Sequence, residues 1–165
     1  MNSYLERLRR ELEDAVGGAE VGDLAKAPAE KWNAGQILEH LFLTYKHTNR
    51  GLGKCLEQGA PLATRATFKD RLATLLVVNL GYLPGGRKAP ERAVPRGMPP
   101  EEARQAIVPE LQRMGAGLEE CERKFGVRTK ILDHPILGPL TAEEWRKFHW
   151  LHGLHHARQI RERMG

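Results

Sequence analysis

The chain has 165 residues, 41% hydrophobic and 28% charged, which excludes a disordered chain and fits one globular domain over 1–165. Charged residues interrupt every window of about 18 residues, so no membrane-spanning helix is expected. Lys and Arg number 26 against 21 Asp and Glu, and the net charge of +5 permits an anionic partner without requiring one.

Cys55 and Cys121 form no metal- or redox-type spacing, and the N-terminal MNSYLERLRRELEDAV has no apolar core of a signal peptide. Two buried thiols in a reduced, cytoplasmic setting are expected.

The first periodic stretch is residues 3–16, where Leu5, Leu8, Leu12, Ala15 and Val16 fall on one helical face and Gly17-Gly18 ends the helix. Residues 19–31, with Pro28, read as a connector. Asn33 and Gln36 form a capping box for a second helix reaching about Cys55, with Trp32 able to pack back as a staple. Thr67 caps a third helix over 68–80, whose end is almost continuously apolar. Residues 81–100 are too rich in Pro and Gly for a regular helix and read as a long loop. A fourth helix spans 100–125, with Glu101 and Glu102 at its positive end and Pro109 as an expected kink. Residues 129–140 read as a loop. Thr141 and Glu144 then form a capping box for a last helix running to about Glu162. Five helices predict an all-α bundle.

Four of the seven histidines lie between positions 149 and 156. On the last helix Trp145, Phe148, His156 and Gln159 all fall within about 40° of His152, and the two large aromatics mark that stripe as inward. His152 and His156 are one turn apart and can reach one ion. On the second helix His40 shares an inward stripe with Ile37, Leu43 and Thr44. Two readings stand at this point. A metal would satisfy three inward imidazoles at once and leave coordination positions open; alternatively each is a hydrogen-bonded core residue. Gln159 is expected to hydrogen-bond a ligand or a neighbouring helix. His155 should diverge and sit beside a ligand or in the core, His149 could pair with His152, and His47 is too far along its helix to reach an ion held by His40. His134 could be a fourth ligand, an acid/base group or a turn residue beside Pro135. Trp150 and Leu154 face the other way, as a second buried face or a dimer contact.

These residues carry a resemblance. WNAGQILEHL, from Trp32 to Leu41, resembles the second-helix motif of the DinB/YfiT-like superfamily, and HGLHHARQ, from His152 to Gln159, resembles its last-helix motif. HPILGPLTAEEW, from His134 to Trp145, is similar to one uncharacterised subfamily. The resemblance implies an up-down-down-up four-helix bundle, here with an extra helix or long loop. It implies a divalent metal ion, Zn2+ or Ni2+, on His40, His152 and His156. It also implies dimerisation and, among relatives, low-molecular-weight-thiol transferases and metal-dependent hydrolases acting on small-molecule substrates. The 81–100 loop departs from that pattern.

Three functional expectations follow. The first is a metal-dependent hydrolase or thiol S-transferase in which the ion lowers the pKa of a bound water or thiol, with no catalytic residue assigned beyond the candidate His134. The second is a non-catalytic bundle for binding or dimerisation. The third, and least supported, is a nucleic-acid binder using Arg65, Arg71, Arg87, Lys88, Arg92 and Arg96. The chain has no HExxH and no P-loop; Gly85-Gly86-Arg87 reads as a turn, and the pairs Glu101-Glu102 and Glu119-Glu120 are solvated.

Overall fold

The computed structural model describes residues 3–26, 30–81 and 89–165, and these are mostly helical. The helices are α1 (Ser3–Val16), α2 (Val21–Ala25), α3 (Ala34–Gln58), α4 (Phe68–Thr74), α5 (Pro100–Phe125) and α6 (Ala142–Met164). None is long and apolar enough to cross a membrane. Residues 1–2, 27–29 and 82–88 lie outside the described part, and with them the expected turn at Gly85-Gly86-Arg87, Lys88 and Pro28 of the connector.

The capping signals operate as read. Asn33 accepts from the Gln36 N–H while the Gln36 side chain accepts from the Asn33 N–H, and Thr141 with Glu144 does the same at α6. Each box satisfies two backbone donors that a helix start otherwise leaves open.

Three segments differ from the expected outline. The 19–31 connector contains α2, a helix too short for periodicity to reveal, anchored by Leu24. The third helix does reach the expected end, but beyond α4 it widens into a π-helical turn, Leu75–Asn79, where the Leu80 N–H bonds the Leu75 carbonyl. The 129–140 loop holds a short antiparallel hairpin, β1 (Leu132–His134) and β2 (Gly138–Leu140), with His134 opposite Gly138. Gly138 has a φ of 69°, and an added Cβ would strike the Asp70 carboxyl carbon at 2.5 Å, so the hairpin sits tightly on α4. α5 continues as a helix through Pro109.

α3 packs along α5 and α1 along α6, with α3 also meeting α6. Of the predicted α1 face, Leu5, Leu8, Leu12 and Ala15 are buried and Val16 is half-buried, packed against the core. α1 also covers the second apolar face of α6: Trp150 is buried, with the Arg7 guanidinium 4.5 Å from its ring, and Leu154 packs on the core. Cys55 and Cys121 are both buried free thiols. The outer side of α4 and its continuation leaves Phe68, Leu72, Leu75 and Leu80 exposed.

The α1–α6 approach depends on a glycine. A Cβ on Gly153 would lie 2.3 Å from the Leu8 Cδ1 and 3.2 Å from its Cγ, and Leu8 is itself fully buried, with nowhere to move. Gly53, within α3 five residues before its end, has nothing within 4 Å of an added Cβ. The two glycines therefore respond to alanine with opposite signs. Gly53→Ala should raise stability by up to about 1 kcal/mol through helix propensity. Gly153→Ala should lower it, because an overpacking cost of roughly 1–3 kcal/mol exceeds that gain. Urea unfolding of both variants checks this, and equal effects would contradict the packing.

Candidate metal centre

α3 and α6 meet where each carries an inward histidine stripe, and His40, His152 and His156 come together there. Their ligand atoms all lie within 4.8 Å of one another, so the three could hold a metal ion. The Nε2 atom of His152 is 3.1 Å from that of His156 and 3.4 Å from that of His40. Two nitrogens bound to one tetrahedral ion, each about 2.1 Å from it, are about 3.4 Å apart.

The protonation of two rings is set from behind. His40 Nδ1 lies 2.7 Å from the Ala93 carbonyl, which can only accept, so the ring proton sits on Nδ1 and Nε2 presents a lone pair. His156 Nδ1 donates to the Gln159 Oε1 at 2.7 Å, with the same consequence. The Gln159 side chain thus orients a ligand, one of the roles expected of it. His152 can donate one Nε2 proton to one neighbour only, which leaves the other facing lone pairs, while its Nδ1 is buried without a partner among the described residues. A cation among the three Nε2 atoms removes that conflict, so the donor set fits a metal. Burial pushes the pKa of all three rings down, His156 to about 3 with help from His40, so they stay neutral, as metal ligands must.

A network that sequence reasoning missed holds His40 in place. Ala93 belongs to a strap, residues 89–98, that crosses α3 and includes a 3-10 turn at Glu91–Ala93. Buried Glu39 accepts from the backbone N–H groups of Arg96, Gly97 and Met98 at 2.6, 3.1 and 3.0 Å. His47 Nε2 bonds the Arg92 carbonyl at 2.9 Å. Trp32 lies against the His40 ring, with centroids 5.2 Å apart. The available signal was Glu39 itself, a carboxylate between Leu38 and His40 on the buried side of a helix; nothing local pointed to its backbone partners.

The remaining histidines separate by position. His47 is a strap anchor, away from the cluster, as its helical distance predicted. His155 is exposed with its ring 5.2 Å from that of His156, so it lies beside a ligand and not in the core. His149 does not pair with His152; it is fully buried and donates through Nε2 to the Thr48 hydroxyl at 3.2 Å. His134 lies outside the cluster. Its Nδ1 accepts from the N–H groups of Ile136 and Leu137, the turn role weighed for it, and its ring rests on Trp145 and Phe148. With Nδ1 engaged and the proton on Nε2, the neutral ring has no lone pair to offer as a fourth ligand.

The cluster opens into a cleft of about 1340 Å³ between α3, the strap, the hairpin and α6. Its walls include Trp32, Val77, Leu137 and Phe148, and its lining carries Arg50, Lys54 and Arg92.

Two predictions follow from this geometry. Replacing Glu39 by Gln removes an acceptor and sets an amide N–H against the strap's own donors. The Ala93 carbonyl should then shift and metal affinity fall roughly 10–100-fold, the usual cost of losing a ligand's support; chelator competition measures it, and unchanged affinity would contradict the network. The second concerns metal-free protein. Burial, then His134, pushes His149 down to about 3, whereas the unfolded chain takes up that proton near pH 6.5. The contribution of neutral His149 is complete above about pH 6.5 and declines as pH falls towards 3, by about 1.4 kcal/mol per pH unit. His149→Phe should make the stability–pH slope shallower by about one proton in urea titrations, and an unaltered slope would contradict the assignment.

No curated protein and no solved structure matches the chain. Residues 12–163 match the family model described as Protein of unknown function (DUF1569), and the chain belongs to that family.

Proposed function

We propose that the protein is a metal-dependent enzyme of the DinB/YfiT-like kind, with its helices forming an up-down-down-up four-helix bundle around one divalent ion on His40, His152 and His156. The observation that carries this reading is the convergence of three Nε2 atoms whose lone pairs one cation would satisfy together. Zn2+ and Ni2+ both suit three imidazoles. Three neutral ligands leave the ion's charge uncompensated and positions open, so when bound it would acidify a water or thiol at neutral pH. The chain's own part is to orient the ligands through Ala93 and Gln159 and to offer an apolar-walled cleft to a small molecule. Hydrolysis and transfer of a low-molecular-weight thiol are the reactions this arrangement supports best.

A second reading is a metal-bearing module that binds or dimerises without turnover. It is favoured by the polar groups near the ligands being engaged: both Glu39 oxygens hold backbone N–H groups and His134 Nδ1 holds two. The exposed apolar side of α4 would serve a homodimer in either reading. Nucleic-acid binding has the least support; Arg65, Arg71, Arg92 and Arg96 are exposed, but a single exposed aromatic, Phe68, lies between the first two, and a stacking platform needs several.

Metal analysis of dialysed protein tests the proposal. About one equivalent of a divalent transition metal is expected in the native chain, with loss in His40→Ala. Substoichiometric metal in both would contradict it. Turnover of a thiol with an electrophile, or of an ester or amide panel, separates the enzyme from the module.

A further inference from the structure

The cleft holds a second set of polar groups that the metal reading does not use. His134 spends its Nδ1 on two backbone donors, so its only remaining polar function is an Nε2–H, with no protein acceptor among the described residues. The tautomer is fixed by the turn, and the ring by Trp145 and Phe148. Arg92 lines the same cleft from the strap. Its backbone is tied to α3 through His47, while its guanidinium has no ion-pair partner among the described residues. The Arg92 charge reaches His134: together with burial, the larger cause, it pushes that imidazole down to about 4, so His134 is a neutral donor and not a cation.

The subsite adjoins the metal ligands. The Phe148 ring lies between the two groups, 4.3 Å from His134 and 5.4 Å from His152, where it is stacked. Further cations, Arg50 and Lys54, continue along the α3 side of the cleft, and its described carboxylates are Glu30 and Asp133. Asp133 already accepts from the Thr64 N–H. Between these polar groups the wall is apolar, formed by Val77, Leu137 and Phe148 among others.

We propose that the Arg92 guanidinium and the His134 Nε2–H form an anion-holding subsite, and that the substrate is an amphipathic acid. Its carboxylate or phosphate monoester sits on Arg92 and His134, and its apolar body crosses Phe148 towards the metal ligands. This assignment rests on the metal reading for the reacting end of the molecule, but the subsite itself belongs to the protein alone. A fixed N–H donor and a guanidinium in one cleft select an anion over an isosteric neutral group, because only the anion gains charge-assisted hydrogen bonds from both.

Isothermal titration with octanoate, octyl phosphate and octan-1-ol tests this, in metal-loaded and in chelator-treated protein. At least one acid should bind tenfold or more tightly than the alcohol in both forms, and the tighter acid identifies the headgroup. Arg92→Gln should remove most of that preference, and Arg92→Lys should keep part of it. Arg158→Gln, an exposed charge on α6 away from the cleft lining, should leave it intact. Equal binding of alcohol and acids, no binding of either acid, or equal losses in Arg92→Gln and Arg158→Gln would each overturn the subsite. An anion preference seen only in metal-loaded protein would also overturn it, since the ion would then be the acceptor. A protein that holds no metal yet keeps the Arg92-dependent preference refutes the metal reading and leaves the subsite standing.

Discussion

Three neutral imidazoles aimed at one another where a cleft meets the helical core are a costly arrangement unless one group satisfies their lone pairs together. His40 and His156 each commit their proton outward, to the Ala93 carbonyl and the Gln159 amide oxygen, and so turn bare Nε2 atoms inward. Leaving such acceptors unpaired costs roughly 1–3 kcal/mol each, a large part of the stability of a chain this size. The outward bonds build a preorganised acceptor set, and the rest of the fold around α3 and α6 keeps that set from relaxing.

The supporting structure works at two distances. Close by, the strap over α3 is held by three hydrogen bonds to Glu39 and one from His47, so the carbonyl behind His40 has little freedom. Further out, the fit of Leu8 against Gly153 sets how near α1 lies to α6, one residue from His152. The aromatic rings of Trp145 and Phe148 link the hairpin to the metal ligands, because His134 and His152 rest on the same phenyl ring. A helical interior thus supplies rigidity, and two irregular segments, strap and hairpin, supply the polar groups that give the site its chemistry.

Much of this was legible in the sequence, where periodic physics applies. The buried stripe of α1, the capping boxes of α3 and α6 and the inward projection of His40, His152 and His156 follow from helical spacing and side-chain chemistry. Gln159 was readable for the same reason, lying on the stripe one turn from His156. What escaped was everything carried by backbone groups far apart in the chain. Ala93 bonds His40 across more than fifty positions with its carbonyl, a group every residue shares, so no side chain announces it. α2 and the 132–140 hairpin are too short to show a period, and the role of His134 depended on which of its nitrogens the turn would use. The His155 side chain, expected beside a ligand or in the core, lies exposed because α6 turns that flank to solvent.

X-ray absorption at the edge of the bound metal tests the central claim most directly, since it reports the ligand atoms themselves. The account predicts three imidazole nitrogens at about 2.1 Å, with exchangeable oxygen donors completing the shell, and loss of one imidazole in His152→Ala. A shell without histidine scattering, or one unchanged by that substitution, would contradict it.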